Sequence, residues 1–112
     1  MVNTDLAVPA PAPATSSIWP VSDHSAEPVL DLLSTQGWSL VSTPEANVHA
    51  TSPDGRVYVG WLPEDPDAWS RHIVFRVHVT PAEGPDWIQE FGLDTPSVAV
   101  AGFLSALIDA SR

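Results

Sequence analysis

The chain is 112 residues long with a mass of 12.0 kDa, which suits one domain and is too short for two ordinary ones. It contains no cysteine and no lysine, which excludes disulfide staples, cysteine-ligated metal and a lysine nucleophile. Fourteen carboxylates against four arginines give a net charge of −10, which argues against nonspecific attraction to nucleic acid or anionic membrane.

Residues 1–20 hold four prolines and four alanines, and Val8–Ala14 alternates the two. Proline lacks an amide donor and biases its predecessor to extended backbone. The stretch therefore reads as a disordered Ala/Pro tail rather than a ligand for a proline-binding groove. Residues 21–112 remain for a single domain, which at this size buries a little over ~60% of its unfolded surface. No apolar run approaches the ~18 residues of a membrane span, and Met1–Asp5 lacks the basic start of a signal peptide. The expected compartment is the cytoplasm.

A first helix is predicted from Ala26 to Gln36. Ser25 can cap it, Glu27 and Pro28 suit its first turn, and Gly37 is placed to end it. A strand follows at Trp38–Thr43, which Pro44 is expected either to cut short or to bulge. Asn47–Thr51 and Arg56–Leu62 flank Ser52-Pro53-Asp54-Gly55, a sequence suited to a type I turn with a glycine bulge, and so predict a hairpin. Pro63–Ser70 reads as an acidic loop. His72–Thr80 alternates, with Ile73, Phe75, Val77 and Val79 on one face and His72, Val74, Arg76 and His78 on the other. Trp87–Phe91 is the final strand. After Asp94 or Thr95 as cap, Val100, Phe103, Leu104, Leu107 and Ile108 form one buried helical stripe. The fold class is α+β: a four-stranded antiparallel sheet with helices on one face, in the order α-β-β-β-β-α.

The sequence holds no nucleophile-elbow pattern, no phosphate-cradling glycine loop and no calcium-loop spacing, so no catalytic residue and no cofactor is expected. His72 and His78 are six apart on one strand, ~20 Å in extended chain, too far to ligate one ion. No metal site is expected from them, even with His49 nearby. The arginines concentrate between residues 47 and 92, where three of the four lie. Arg56, Tyr58, Arg71, His72, Arg76 and His78 can line one sheet surface. Arginine pairs with phosphate and aromatic rings stack on bases, so this face is a candidate for nucleic acid or a protein partner. The competing expectation is that each arginine pairs with a local acid, with Glu90 and Glu64 as candidates. Five tryptophans are many for this length. Trp38, Trp61 and Trp87 fall in strands, while Trp19 and Trp69 lie outside them, where an amphipathic ring marks an interface or folds back to cap the sheet.

The block Ser52-Pro-Asp-Gly-Arg-Val-Tyr-Val-Gly-Trp-Leu-Pro63 resembles the signature of the SPDY family, a domain of unknown function (number 317) of filamentous actinobacteria. Trp87–Phe91 and Thr95–Phe103 look like the rest of that domain, and with the first helix the resemblance covers about residues 27–109. Gly55 stands where the family has tyrosine. The resemblance brings no catalytic residues. The family architecture is similar to that of curved-sheet single-strand binders such as the transcription coactivator and Whirly proteins, a likeness at the level of fold alone. The family's habit of carrying two copies implies that a lone copy pairs with another chain. A one-sided sheet also leaves a face and edges needing cover. The leading expectation is thus a non-catalytic binding and assembly module, a homodimer through Trp61, Trp69 and the His72–Thr80 strand, with a protein partner. The alternative is DNA binding through the arginine and aromatic face.

Overall fold

The computed structural model describes residues 17–112. The Ala/Pro stretch before them lies outside the described residues. Three helices and five strands follow in chain order: α1 (Glu27–Thr35), β1 (Ser39–Ser42), β2 (Val48–Thr51), β3 (Val57–Trp61), α2 (Pro66–Ser70), β4 (Ile73–Val79), β5 (Trp87–Gly92) and α3 (Ser97–Ala110).

The sheet has five strands, not four. Its spatial order is the chain order, β1-β2-β3-β4-β5, and every neighbouring pair is antiparallel. The Trp38–Thr43 segment, expected to be curtailed or bulged by Pro44, keeps four residues of strand and pairs fully with β2. Thr43 makes this possible: its amide donates to the Asn47 carbonyl at 2.8 Å and its Oγ1 accepts from the Asn47 amide at 3.2 Å. The turn needs a left-handed residue, and Ala46 supplies it at φ 75°.

A second correction concerns Pro63–Ser70, expected as loop. Its second half is the short helix α2, capped by the Asp65 carboxylate, which accepts from the Ala68 amide at 2.9 Å. Asp at the cap followed by Pro at the first helical position is a strong start signal, and Ala68 fills a fully buried niche. A third concerns α3, where neither Asp94 nor Thr95 caps the helix; Pro96 occupies the cap position with no side-chain bond.

At α1 the cap position is Ala26, while the Ser25 hydroxyl accepts from the Glu27 amide at 3.1 Å. Gly37, at φ 81°, closes the helix as expected, and the Trp38 amide returns to the Leu33 carbonyl at 3.0 Å. Strand partners that sit directly opposite share a face. Thus Ala50, Val59 and Val77 form one row, and Trp61, Phe75 and Phe91 another. Both rows pack against Val29 and Leu33 of α1 and Val100 and Leu104 of α3 to make the core. Both long helices thus cover the same side of the sheet.

The hairpin between β2 and β3 turns through Ser52–Gly55, with Gly55 at φ 75°. Ser52 Oγ donates to Asp54 Oδ1 at 2.7 Å and accepts from the Val57 amide at 3.0 Å, while the Arg56 amide donates to the same Asp54 oxygen at 3.1 Å. These bonds, the Ser52 hydroxyl foremost, hold the Asp54 carboxyl below its usual pKa. Ser52→Ala is expected to cost about 1 kcal/mol, seen as a melting temperature lower by about 4–8 °C in thermal circular dichroism. An unchanged melting point would show that the backbone alone sets the turn.

Candidate functional site

The side of the sheet turned away from α1 and α3 carries two cross-strand rows. One runs Val41, His49, Gly60, Arg76, Glu90; the other runs Ser39, Thr51, Tyr58, His78, Ile88. Their interlock begins at Gly60. A Cβ there would run into the hydroxyl and ring of Tyr58, so the missing side chain lets the Tyr58 ring lie down across its own strand. The phenol reaches His49 Nδ1, with which it shares a 2.7 Å hydrogen bond, and the two rings stack with centroids 5.8 Å apart. Burial raises the Tyr58 pKa, so the phenol keeps its proton.

Beside this pair lies an ion network. Glu90 accepts from Arg76 Nε at 2.8 Å and from Arg71 Nη1 at 2.9 Å, and Arg71 Nη2 also meets Asp67 at 2.8 Å. Asp67 stands 3.7 Å from Arg76. Hydrogen bonding by Arg71 foremost, which with the help of Arg76 outweighs the opposing desolvation, holds the Glu90 carboxyl below its usual range. The same bonds from Glu90 and Asp67 raise the Arg71 pKa further. Two guanidiniums and two carboxylates thus cancel one another. At the far end His78 Nε2 sits 3.0 Å from Asp86 Oδ2, which also accepts from Thr80 Oγ1 at 3.2 Å.

Of the residues singled out in the sequence, Tyr58, Arg76 and His78 share this face, and Arg71 joins them from the end of α2. His72 precedes β4 at φ 59°, and its backbone carbonyl accepts from the Leu93 amide at 3.0 Å. Arg56 is elsewhere. It borders a groove of about 430 Å³ between the sheet and the end of α3, and its Nη1 donates to the Thr80 carbonyl at 3.3 Å. Trp61 faces the helices, half-buried against the core, and its row partner β4 is an interior strand paired on both sides. Trp69, on α2, is 61% exposed.

Sequence reasoning named Glu90 as an arginine partner but missed the His49–Tyr58 pair. A signal for it existed: a glycine inside a strand two residues from an aromatic marks a place where another group approaches the backbone closely. Among the described residues no cluster of three or more His, Asp or Glu could hold a metal ion. No helix among them is long and apolar enough to cross a membrane.

The Ser52-Pro53-Asp54 turn, the β3–β5 meander and the closing helix α3 together make a unit with a recognisable sequence. The chain belongs to the SPDY family, a domain of unknown function (DUF317), which matches residues 51–112. The chain matches no curated protein and no solved structure. Within this fold the Ser-Pro-Asp run has a structural role, since all its polar side-chain atoms described above are spent on fixing the hairpin turn.

Proposed function

We propose that the domain is a non-catalytic assembly module, in which one copy pairs with a second and the pair engages a protein partner. One observation carries this reading: both long helices lie on the same side of the sheet, which among the described residues leaves an uncovered face and two edges without a partner strand. Exposed apolar side chains accompany them, Val41 and Ile88 on the face and Trp69 at its end. The face itself offers no activated group, because its phenol stays protonated and its charges are mutually neutralised. Light scattering at micromolar protein is expected to give a mass near twice 12.0 kDa. A monomer throughout that range overturns the proposal.

The second reading, DNA or RNA on the same face, is favoured by the shared position of Tyr58, Arg71, Arg76 and His78. It is opposed by Glu90 and Asp67, which occupy both guanidiniums. Titration of labelled single- and double-stranded oligonucleotides at two salt concentrations is therefore expected to show no binding. Binding that weakens with salt by about one unit of slope per arginine would instead establish a nucleic-acid face.

A further inference from the structure

We propose that the copies join edge to edge through β5, antiparallel and about a two-fold axis at Gln89; this rests on the assembly reading above. Among the described residues the sheet has two free edges, β1 and β5. Natural edges are guarded by charge, proline, bulges or brevity. β1 is short, with four residues. β5 has six, of which Trp87, Ile88 and Gln89 are exposed, and its only charged residue, Glu90, is turned onto the open face and held there by Arg71 and Arg76. The irregularity of its pairing with β4 lies at the Ile73 end, so Trp87–Phe91 runs as regular strand. Among the described residues this edge carries no guarding charge, proline or bulge within the strand; its Glu90 carbonyl accepts from the Gln89 side-chain amide at 3.0 Å, a bond that a partner strand's amide would replace.

The helix above this edge is a second and separate observation. Phe103 of α3 packs on Phe91 and Trp87 of β5, with ring centroids 5.3 and 6.4 Å away. Ala99, Gly102 and Ala106 stand beside Phe103 on the helix, all exposed, and no charged residue occurs from Ser97 to Ile108. A helix flank that faces water is ordinarily polar. This flank is not, and its small residues let a second helix come close when a second edge docks below.

Symmetry and charge then choose the register. Directly opposed residues must share a face, so a two-fold axis passes through a residue rather than between two. Centred on Glu90, it would oppose two copies of that carboxylate; centred on Ile88, it would set Glu90 against the partner's Asp86. Centred on Gln89, it pairs the glutamine with itself, Trp87 with the partner's Phe91, and Ile88 with the partner's Glu90. No like charges meet, and an aromatic pair forms on the helix side. The occupant is therefore a second copy, and the product is a continuous sheet of twice the width.

The absence of cysteine makes a direct test possible. Opposed residues of an antiparallel pair have Cα atoms ~4.5–5.5 Å apart, within disulfide range. Gln89→Cys, mildly oxidised, is expected to run as a covalent dimer, while Val41→Cys on β1 stays monomeric on the same non-reducing gel. Gln89→Lys places like charges across the axis and is expected to raise the dimer dissociation constant by about tenfold or more, with an unchanged far-ultraviolet spectrum. Light scattering of the unmodified chain separates the failures. A dimer that neither cross-links at position 89 nor weakens with Gln89→Lys, or one that cross-links through Val41→Cys instead, overturns the β5 edge and leaves the assembly reading standing. A monomer overturns both.

Discussion

Phe75→Ala is expected to remove about 3–5 kcal/mol of stability and bring the domain close to unfolding at room temperature. Phe75 is the largest of the side chains buried to below 2% or so of their surface, and it sits mid-row between Trp61 and Phe91. Truncation loses the transfer free energy of the ring and leaves a cavity between the sheet and the helices, whose backbones are too constrained to collapse into it. A domain of this size holds only about 5–15 kcal/mol in total, so the loss is a large share of it. Urea denaturation followed by tryptophan fluorescence reads the effect as a lower midpoint at unchanged slope. A loss below about 1 kcal/mol would show that the core is less tightly organised than the packing of Phe75 indicates.

Glu90→Gln is expected to lower stability by about 1–2 kcal/mol at neutral pH, because charge-assisted bonds to two arginines are replaced by weaker ones at a half-exposed site. The pH dependence gives a sharper readout. The Glu90 pKa is depressed in the folded protein, so its contribution is fully present above its ordinary value near 4.5 and is lost as pH falls through the lower folded value. Stability curves of the two proteins should therefore converge below that range. Asp54, also depressed, adds an acid-side decline common to both and does not affect the difference. A difference that stays constant down to pH 2 would show that the pair contributes by shape rather than charge. The same variant releases part of the hold on Arg71 and Arg76, so oligonucleotide binding that appears only in Glu90→Gln would confirm that the native face is neutralised.

Much of the architecture was readable where local chemistry and periodicity agree. Gly37 after an apolar stripe ended α1; Pro53 and Gly55 fixed the hairpin; alternation at β4 sorted Phe75, Val77 and Val79 from Arg76 and His78. All five strand segments were legible, although the sheet was expected to hold four; what was not readable is the β1–β2 turn, which rests on Thr43 bonds and on Ala46 in a conformation that sequence rules assign to glycine or asparagine. α2 was obscured by its five-residue length, although Asp65-Pro66 announced it. At the site, the presence of arginines on one strand was legible, and so was Glu90 as a partner for them, but the share of Asp67 was not. Their neutralisation depends on Asp67 and Glu90 converging from elements far apart in sequence. Arg56 was misplaced for a related reason: it belongs to the turn before β3 rather than to the strand, so the strand's alternation does not govern its side chain, which reaches the Thr80 carbonyl instead.

The β1–β2 turn also sets where the molecule opens first. β1 is four residues long, mostly exposed, and tethered by a turn in which an alanine bears left-handed strain. Its amides should exchange with solvent through local fluctuation, while those of β3 and β4, paired on both sides, wait for global unfolding. Each such opening bares the outer side of β2 without disturbing Val59, Phe75 or Val77. The folded protein thus has a transient edge that a static picture conceals, and its protection against unwanted strand addition there is only as good as the closure of one strained turn.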